Sequence, residues 1–458
     1  MLKVIPDLDL GFAPMSVIFR DYQADLAARK SNHLAISIQR DNGQVSRFEM
    51  DIYPEGEGHD EQTLALVERI VKSLIWIKGG WRIIIGGSRM VYDHIKKTYS
   101  KGGERQFDSD FMTDVYEREF TVEYAESVCD VPATSETSKP IGRHLDGCRI
   151  GFDAGGSDRK VSAVIDGEVV YSEEVIWHPK TQSDPRYHYD GILESMKTAA
   201  SHLPRVDAIG ISSAGIYIDN RIMNASLFIK VSRDDFARRV KNMYIDVCRE
   251  IGDVPMEVAN DGDVTALAGA MDIEDGNVLG IAMGTSEAGG YVDASGNITG
   301  WLNELAFVPV DAQKGAPVDD WSFDHGCGSR YFSQEAVIRL APKAGIELDV
   351  NLTPAEKLKA VQALDVDTDA RARAIYQTIG VYFGYAIAYY AMFYDIRHVL
   401  IMGRVTSGKG GEIIISEARK VIDAEFPNLK HINLMIPDEK SRRVGQSVAA
   451  ASLPALNG

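Results

Sequence analysis

Residues 149–160 read RIGFDAGGSDRK, which predicts an apolar strand that runs into a carboxylate and then into a glycine turn. A phosphate can approach a backbone only where no Cβ intrudes, as at Gly155 and Gly156. Together with Ser157, the successive N–H groups of such a turn form an anion-binding concavity. Asp153, just before the turn, is a candidate ligand of Mg²⁺, directly or through water. The pattern predicts a phosphate site, with a plain turn between two strands as the alternative.

The predicted strands continue beyond this turn. Residues 161–165 predict a second strand, Asp166-Gly167 a tight turn, and residues 169–171 a third strand. A helix is predicted over about 191–201 and a strand over 206–211. This last strand opens into a loop of small residues, where ligands often lie in α/β folds.

A second carboxylate follows the strand predicted at 256–260. Asn260 and Asp261 come at its end, and a helix of small residues starts at once. The helix dipole favours the ionised form of a carboxylate near a helix N-terminus, which suits a general base at neutral pH. We assign the helix cap to Asp263 and the chemistry to Asp261, with an ordinary N-cap as the alternative for either residue.

Residues 279–293 predict another strand, glycine turn and strand, with Gly284, Thr285 and Ser286 in the turn. Two such turns from two halves of a protein can grip the phosphates of a nucleotide from both sides. One turn alone is a weak signal, whereas two turns with a carboxylate between them in sequence point to a nucleotide.

Polar and glycine residues in the last third of the chain are candidates for the rest of a ligand site. Asn303 and Glu304 lie in an apolar run, and a buried glutamate needs a partner. Sugar hydroxyls would serve, and a nearby lysine or arginine is the alternative. The strand predicted at 399–403 leads into a glycine turn that would let an adenine lie flat on the backbone. The glycines concerned are Gly403, Gly408, Gly410 and Gly411.

The first 145 residues show no obvious catalytic chemistry. A hairpin is predicted over 34–48, followed by a helix over 64–75 and a strand over 81–85. The same order recurs after residue 149, so one hypothesis makes this region a degenerate structural echo of the next domain. An unrelated α/β cap is the alternative. Residues 134–140 are small and polar and end in proline, which predicts a linker.

The composition of the whole chain limits the function. At 458 residues the chain should hold two or three domains. A formal net charge of −18 argues against broad binding to nucleic acid or anionic membranes, which needs a positive field. Four separated cysteines without a C-x-x-C pair disfavour a cysteine metal site and fit a reduced setting. Without a signal-peptide pattern or a membrane-length apolar run, a cytoplasmic protein is expected.

Residues 149–458 together resemble the actin-like ATPase superfold that sugar kinases share with heat-shock ATPases. Within it they are most similar to the ROK family (repressors, open reading frames and sugar kinases). Four segments carry the resemblance: a phosphate-1 loop, a substrate and catalytic segment, a phosphate-2 loop and an adenosine segment. In this sequence they are, in turn, residues 153–157, 257–262, 283–290, and 403 with 408–411. The resemblance implies an α/β, actin-like ATPase (ribonuclease H-like) two-lobed fold with an extra N-terminal α/β domain.

This sequence departs from the family's pattern at the phosphate-2 loop and at the zinc motif. Glu287 would repel a phosphate unless it points away. In the family's Gly-Glu-x-Gly-His element, Phe307 replaces the histidine that binds sugar and structural zinc. The cysteine cluster survives only as His325 and Cys327, with Phe332 at the last cysteine. Two ligands do not make a four-coordinate site, so we predict no zinc and an unusual sugar pocket.

The resemblance implies an ATP- and Mg²⁺-dependent kinase, similar to hexokinases and glucokinases, that phosphorylates a sugar or sugar-like hydroxyl. Asp261 would be the catalytic base, and Asp153 would position Mg²⁺ through water. Asn260, Asn303 and Glu304 would hold the sugar. The main alternative is a non-catalytic sensor that binds a sugar or nucleotide and controls a partner. A radical-enzyme activator would need paired cysteines, and a DNA-binding repressor would need a helix-turn-helix and a basic face.

Three domains are expected. They are an accessory domain at 1–146, a first ATPase lobe at 147–270 with the phosphate-1 loop and the base, and a second lobe at 271–458. The last helix either stays in the second lobe or returns to the first. The expected partner is a small-molecule sugar, with no nucleic acid and no membrane, and a homodimer stays open.

Overall fold

The structure is a computed structural model that describes residues 2–136, 140–437 and 439–456. Strands and helices alternate along most of the chain. The strands are β1 (Asn32–Gln39), β2 (Val45–Ile52), β3 (Arg82–Gly86), β4 (Thr121–Ala125), β5 (Cys148–Ala154), β6 (Asp158–Ile165), β7 (Glu168–Ile176), β8 (Ala208–Ser213), β9 (Ile216–Ile218), β10 (Arg221–Asn224), β11 (Met256–Asn260), β12 (Val278–Met283), β13 (Glu287–Val292), β14 (His398–Met402) and β15 (Asn433–Met435). The helices are α1 (Met15–Leu26), α2 (Asp60–Lys78), α3 (Arg89–Thr98), α4 (Gln106–Tyr116), α5 (Pro185–Ser201), α6 (Arg233–Asp235), α7 (Met243–Ile251), α8 (Asp261–Asp272), α9 (Gln334–Lys343), α10 (Pro354–Gln362), α11 (Ala370–Tyr390), α12 (Lys409–Glu425) and α13 (Glu439–Ala451). Within the described ranges, no helix has both the length and the apolarity to cross a membrane.

The chain divides into two compact units, each assembled from separate stretches of sequence. Unit 1 contains Met1–Thr137, Ile281–Gly289 and Trp301–Ile436, and unit 2 contains Ser138–Gly280, Gly290–Gly300 and Pro437–Gly458. The N-terminal region therefore shares a unit with most of the C-terminal half. The three domains with boundaries after residues 146 and 270 stay a prediction.

Unit 2 is built on a five-stranded mixed sheet with the order β11-β8-β5-β6-β7. β5, β6 and β7 form an antiparallel meander, while β8 runs parallel to β5 and to β11. Asp166 and Gly167, between β6 and β7, have φ values of 48° and 85°. Positive φ at two successive turn residues is the pattern of a type I′ hairpin, so the predicted tight turn is confirmed.

Helices cover both faces of this sheet, because successive strand residues point to opposite faces. On one face, Ile150 and Phe152 pack into a core with residues of α5 and α7. On the other face, α13 lies directly on β5 and β8. A Cβ at Gly210 would be 1.7 Å from the carbonyl oxygen of Ala450, so only glycine permits this approach. These layers fix the strand ends that carry the candidate site.

Unit 1 includes a four-stranded sheet of order β2-β1-β3-β4 from the N-terminal region. Its hairpin is the predicted one, with Asn42 and Gly43 at positive φ. β3 runs antiparallel to β1, whereas β8 runs parallel to β5. The N-terminal region and unit 2 thus share the order hairpin, helix, strand but not the sheet topology, and the structural echo stays a prediction. A second sheet, of order β13-β12-β14-β15, supplies the strands β14 and β15 of unit 1.

The beginning of the predicted linker at 134–140 is tied to the first sheet. Ser135 and Val45 exchange two backbone hydrogen bonds of 2.8 and 2.9 Å. The carboxylate of Glu136 accepts a hydrogen bond from Arg40 at 2.8 Å. Residues 137–139 of the predicted linker lie outside the described residues.

Candidate active site

The first turn, residues 155–157, connects β5 and β6 at the carboxyl end of β5. Ala154 pairs with Arg159, so the two strands stay in register up to the turn. Across the described part of the chain, the three backbone N–H groups of this turn have no hydrogen-bond acceptor. Adjacent free N–H groups of this kind can receive an anion.

Trp177 holds the first turn through two hydrogen bonds to its carbonyl groups. Its indole Nε1–H donates to the carbonyl oxygen of Gly155 at 2.8 Å. Its backbone N–H donates to the carbonyl oxygen of Ser157 at 3.1 Å. Trp177 is buried in the core of unit 2, so packing holds it in place. Two carbonyl groups of the turn are therefore satisfied internally, while its N–H groups remain for a ligand.

Two carboxylates lie at the carboxyl edge of the same sheet, because parallel strands end on the same side. Asp153 is near the end of β5, and Asp261 directly follows β11. Asp153 is buried and accepts a hydrogen bond from the Ser212 hydroxyl at 2.8 Å. Burial raises the pKa of Asp153 to about 6; the charge of Asp261 adds to this rise and the bond from Ser212 opposes it. Asp261 thus lies close enough to affect the protonation of Asp153.

Asp261 is partly exposed and occupies the first position of α8. Its Oδ1 accepts the N–H of Gly262 at 3.0 Å. Burial raises the pKa of Asp261 above its ordinary value, while the N–H of Gly262 and the charge of Lys180 oppose the rise. Desolvation therefore outweighs the expected preference for the ionised form. A raised pKa still suits a general base, because it strengthens the driving force for taking a proton.

The cap of α8 is Asn260, and the assignment of that cap to Asp263 is wrong. The helix begins at Asp261, and a capping side chain must stand just before the first helical residue. Asn260 accepts the N–H of Gly262 at 2.7 Å and donates to the carbonyl oxygen of Gly215 at 2.8 Å. Asp263 is buried and accepts the N–H of Tyr291 at 3.0 Å. The sugar contact assigned to Asn260 stays a prediction.

The second turn, residues 284–286, connects β12 and β13 and belongs to unit 1. The N–H of Gly284 donates to the carbonyl oxygen of Ser286 at 3.0 Å, so it is not free for a phosphate. The N–H groups of Thr285 and Ser286 have no acceptor among the residues that the structure describes. The hydroxyl of Thr285 accepts a hydrogen bond from Arg404 at 2.5 Å.

Glu287 points into the interior of unit 1. It is 4% exposed, and its Oε1 accepts a hydrogen bond from the Tyr390 hydroxyl at 3.3 Å. A Cβ at Gly328 would lie 2.0 Å from its Oε2, so this glycine leaves the room that the carboxyl group fills. Burial raises the pKa of Glu287 to about 8. The group is therefore mostly neutral at pH 7, and the repulsion expected at this position does not arise.

Three of the four glycines in the predicted adenosine segment serve close packing. A Cβ at Gly403, Gly410 or Gly411 would lie 2.4, 2.7 or 2.3 Å from an atom of a neighbouring segment. Gly408 precedes α12 with a φ of 66° and has open space around it. The nucleotide contacts assigned to these four glycines stay predictions.

The sugar-binding residues predicted in unit 1 lie against α2. The backbone N–H groups of Asn303 and Glu304 donate to carbonyl oxygens of α2, each at 3.0 Å. Asn303 is buried, and its Oδ1 accepts the hydroxyl of Tyr394 at 2.9 Å. Phe307 stacks on Trp76 of α2 with ring centroids 4.1 Å apart. Where the ROK pattern has a histidine, this chain has an aromatic contact to its N-terminal region.

The segment around the expected zinc residues holds a buried ion-pair network. Asp324, 2% exposed, lies 2.6 Å from Arg69, 3.1 Å from Lys72 and 2.8 Å from Arg105. Burial pushes the pKa of Asp324 up, but the three cations outweigh burial and hold it well below its usual value. The Cys327 sulfur is 3.8 Å from this carboxylate. Over residues 2–136, 140–437 and 439–456, no group of three or more His, Cys, Asp or Glu side chains is arranged to hold a metal ion.

Two cations beside the turns were missed by the sequence analysis. A Cβ at Gly156 would lie 3.2 Å from the Nζ of Lys180, and Arg404 bonds Thr285. Arg404 directly follows Gly403, and this proximity to a glycine motif was a usable signal. Lys180 lies in the short 3-10 turn after β7, and no feature of the sequence pointed to it.

The fold is shared with known structures of ROK proteins. A ROK hexokinase from Thermus thermophilus aligns with 66% of this chain and 97% of its own, with a TM-score of 0.51 and 16% identity. A ROK family transcriptional regulator, described as a homologue of the E. coli MLC protein, aligns with 68% of this chain and 79% of its own, with a TM-score of 0.51 and 18% identity. No family model and no curated protein matches the sequence. The predicted α/β fold of the ROK and actin-like ATPase type is thus confirmed as a likeness of fold.

Proposed function

We propose that this protein is an ATP-dependent kinase that phosphorylates a hydroxyl group of a sugar or a sugar-like molecule. The observation that supports this most strongly lies in unit 2. There, Asp153 and Asp261 stand at the carboxyl edge of one sheet, and the free N–H groups of the first turn follow β5 at that edge. Phosphoryl transfer depends mainly on positioning and on stabilising phosphate charge, and these groups provide both.

Asp261 is the proposed general base. It accepts the proton of the sugar hydroxyl while the hydroxyl oxygen attacks the γ-phosphorus. The bond between that phosphorus and the oxygen bridging to the β-phosphate breaks, and ADP leaves. Base catalysis of this kind contributes about 10²–10⁴ in rate. The partial exposure of Asp261 leaves it accessible to a substrate.

The residues of unit 2 fit a magnesium ion. Neither Asp153 nor Asp261 forms an ion pair with the described residues, and burial raises the pKa of each. Mg²⁺ takes one or two carboxylate oxygens and keeps several waters, so Asp153 would hold it, directly or through water. When bound, Mg²⁺ neutralises charge on the phosphates.

The proposal also assigns contacts to the phosphates, to the rest of the nucleotide and to the sugar. The N–H groups of the first turn and those of Thr285 and Ser286 receive phosphate oxygens, which is the usual role of such donors in this chemistry. The N–H of Gly284 is engaged inside the second turn, so the contact first assigned to it is left out. The other proposed nucleotide contacts are Gly403, Gly408, Gly410 and Gly411, and the proposed sugar contacts are Asn260, Asn303 and Glu304. Because the reaction consumes ATP, a cytoplasmic location belongs to the proposal.

A non-catalytic sensor is the second candidate. The N–H of Gly284 donates within the second turn, so it is not free for a ligand. Phe307, which replaces the histidine of the ROK pattern, packs on Trp76 and has no polar group for a sugar. The chain shares its fold with a transcriptional regulator as well as with a hexokinase. These observations favour binding without turnover.

The deciding experiment is a phosphorylation assay with ATP and Mg²⁺ over a panel of aldohexoses, N-acetylhexosamines and polyols. Sugar-dependent release of ADP, with a product heavier by one phosphoryl group, is the result expected of a kinase. Binding of a sugar or a nucleotide in calorimetry without any product would favour the sensor. Absence of both binding and turnover would contradict both functions.

A further inference from the structure

Lys180 lies against the first turn. A Cβ built on Gly156 would be 3.1 Å from the Cε of Lys180 and 3.2 Å from its Nζ. The end of this lysine therefore lies in close contact with the place where a Cβ at position 156 would stand. The ammonium group of Lys180 thus lies beside the second glycine of the turn.

The segment that carries Lys180 is fastened on both sides of the lysine. Trp177 donates two hydrogen bonds to carbonyl oxygens of the first turn. Pro179 is buried, and its carbonyl oxygen lies 3.1 Å from the Nε2 of the buried His188. The N–H of Thr181 donates back to the carbonyl oxygen of His178 at 3.2 Å. The backbone of Lys180 is thereby held at a fixed place relative to the turn.

The charge of Lys180 is not neutralised by the protein. No carboxylate among the described residues lies within ion-pair distance of its ammonium group. Lys160, the other lysine near this turn, pairs with Asp158 at 3.5 Å and with Glu174 at 3.9 Å. The Asp158 carboxylate at this turn accepts the Ser157 hydroxyl at 3.0 Å and pairs with Lys160. The ammonium group of Lys180 is thus the unpaired charge beside the three free N–H groups, in a chain whose net charge is −18.

We propose that Lys180 binds the terminal phosphoryl group of a nucleoside triphosphate at the first turn, together with the N–H groups of residues 155–157. This inference rests on the proposed kinase function and extends it to a residue outside the ROK-like motifs. A hydrogen bond between an ammonium group and a phosphate oxygen is among the strong ones, because both partners are charged. The charge of Lys180 also lowers the pKa of Asp261, which partly offsets the larger rise caused by burial.

Calorimetry with inorganic tripolyphosphate and with a non-hydrolysable ATP analogue tests the binding role. Lys180→Met should weaken both by about 10- to 100-fold, the range expected when a hydrogen bond between charged groups is lost. Lys180→Arg should stay within a few-fold of the parent because it keeps the charge. Lys197→Met removes an exposed lysine of α5 and should leave binding unchanged.

A pH profile separates this role from a purely structural one. Among the described residues, Asp153, Tyr217 and Lys180 interact electrostatically with Asp261. Without the positive charge of Lys180, the acidic limb of kcat/KM should move to higher pH. A lysine that only supported the fold would lower activity equally at every pH when replaced. Thermal unfolding of each variant confirms that it is folded.

Parent-like binding of tripolyphosphate by Lys180→Met would overturn the proposal, and so would a parent protein that binds neither tripolyphosphate nor the ATP analogue. The kinase can fail separately. If no sugar is phosphorylated while Lys180→Met still loses tripolyphosphate binding, the phosphate-binding role stands and the catalytic role falls.

Discussion

The first and second turns have the same pattern in sequence but differ in what they offer a ligand. The first turn, in unit 2, keeps its three N–H groups free, has its carbonyl groups held by Trp177, and has Lys180 beside it. The second turn, in unit 1, closes on itself through the N–H of Gly284 and binds Arg404 through the Thr285 hydroxyl. Neighbouring segments, and not the glycines alone, decide whether a glycine turn can receive phosphate.

The buried carboxyl groups beside the two turns differ in the same way. Asp153, beside the first turn, has a pKa of about 6, so it is mostly ionised at pH 7 and suited to a cation. Glu287, beside the second turn, has a pKa of about 8 and is mostly neutral at pH 7. We infer that the first turn carries the chemistry and that the second turn is a structural support with a smaller share in binding.

The largest expected effect is on the catalytic rate, and it comes from a change in Asp261, in the same unit as the first turn. Asp261→Asn should lower kcat by about 10²–10⁴, because an amide cannot accept the hydroxyl proton. Affinity for the ATP analogue should change little. Steady-state kinetics with the best sugar measures both, and Asp253→Asn, at an exposed position, is the control. Turnover near the parental rate would show that another group is the base.

The second largest expected effect is on the free energy of unfolding, and it comes from Glu287, beside the second turn. In the folded protein Glu287 keeps its proton up to about pH 8, whereas its ordinary pKa is 4.5. Unfolding therefore releases a proton between these values, and the stability of the parent falls as pH rises through this window. Glu287→Gln should remove this slope and, at pH 8, stabilise the protein by roughly 2–5 kcal/mol.

Urea unfolding at pH 5, 6.5 and 8 measures this difference between Glu287→Gln and the parent. Glu250→Gln, which makes the same change at an exposed position, should follow the parental curve. Parallel curves for Glu287→Gln and the parent would mean that Glu287 is not protonated in the fold. Activity at pH 7 should stay near the parental value, because a mostly neutral group is replaced by a neutral one.

Asp153→Asn sharpens the comparison, because it should make the protein more stable and less active. The pKa of Asp153 rises from 3.8 to about 6 on folding, so the parent loses stability as pH rises through that window. Above pH 6 the variant should be more stable by about 1–3 kcal/mol. Phosphoryl transfer should fall sharply because the proposed magnesium ligand is lost. Unfolding curves and kinetics at pH 7.5 measure the two effects, and a gain in stability with full activity would exclude the magnesium role.

The smallest expected effect tests the packing behind the second turn. Gly328→Ala would place a Cβ 2.0 Å from the Glu287 carboxyl group, and overpacking of this kind costs about 1–3 kcal/mol. Gly300→Ala adds the same methyl group where no atom lies within 4 Å. Chemical denaturation of both variants should separate them. Equal stabilities would show that Glu287 moves aside freely.

The parts of the fold that could be predicted are those with a local signal. The sequence predicts α2 from its periodic apolar residues, and it predicts the hairpins at Asn42-Gly43 and Asp166-Gly167 from their turn residues. Both signals act over a few neighbouring residues. The helix α5 was predicted to begin at about residue 191, but it begins at Pro185. Asp184 caps this earlier start by accepting the N–H of Arg186. α1 was missed entirely.

The parts of the candidate site that could not be predicted depend on distant partners. The strand-turn pattern pointed to Asp153 and Asp261, and their roles stay predictions. Which way Glu287 points depends on Gly328 and Tyr390, far away in sequence. The position of Lys180 depends on Trp177, whose two bonds to the turn have no signature in the spacing of residues.

The ion pairs of Asp324 connect the first 136 residues to the C-terminal part of unit 1. Its three counterions, Arg69, Lys72 and Arg105, all come from the N-terminal region. Removing one of these cations from the intact chain would leave Asp324 with too little positive charge around it in the interior, at a cost of about 3–5 kcal/mol. Arg69→Met, Lys72→Met and Arg105→Met should therefore each lower the free energy of unfolding, which urea denaturation measures.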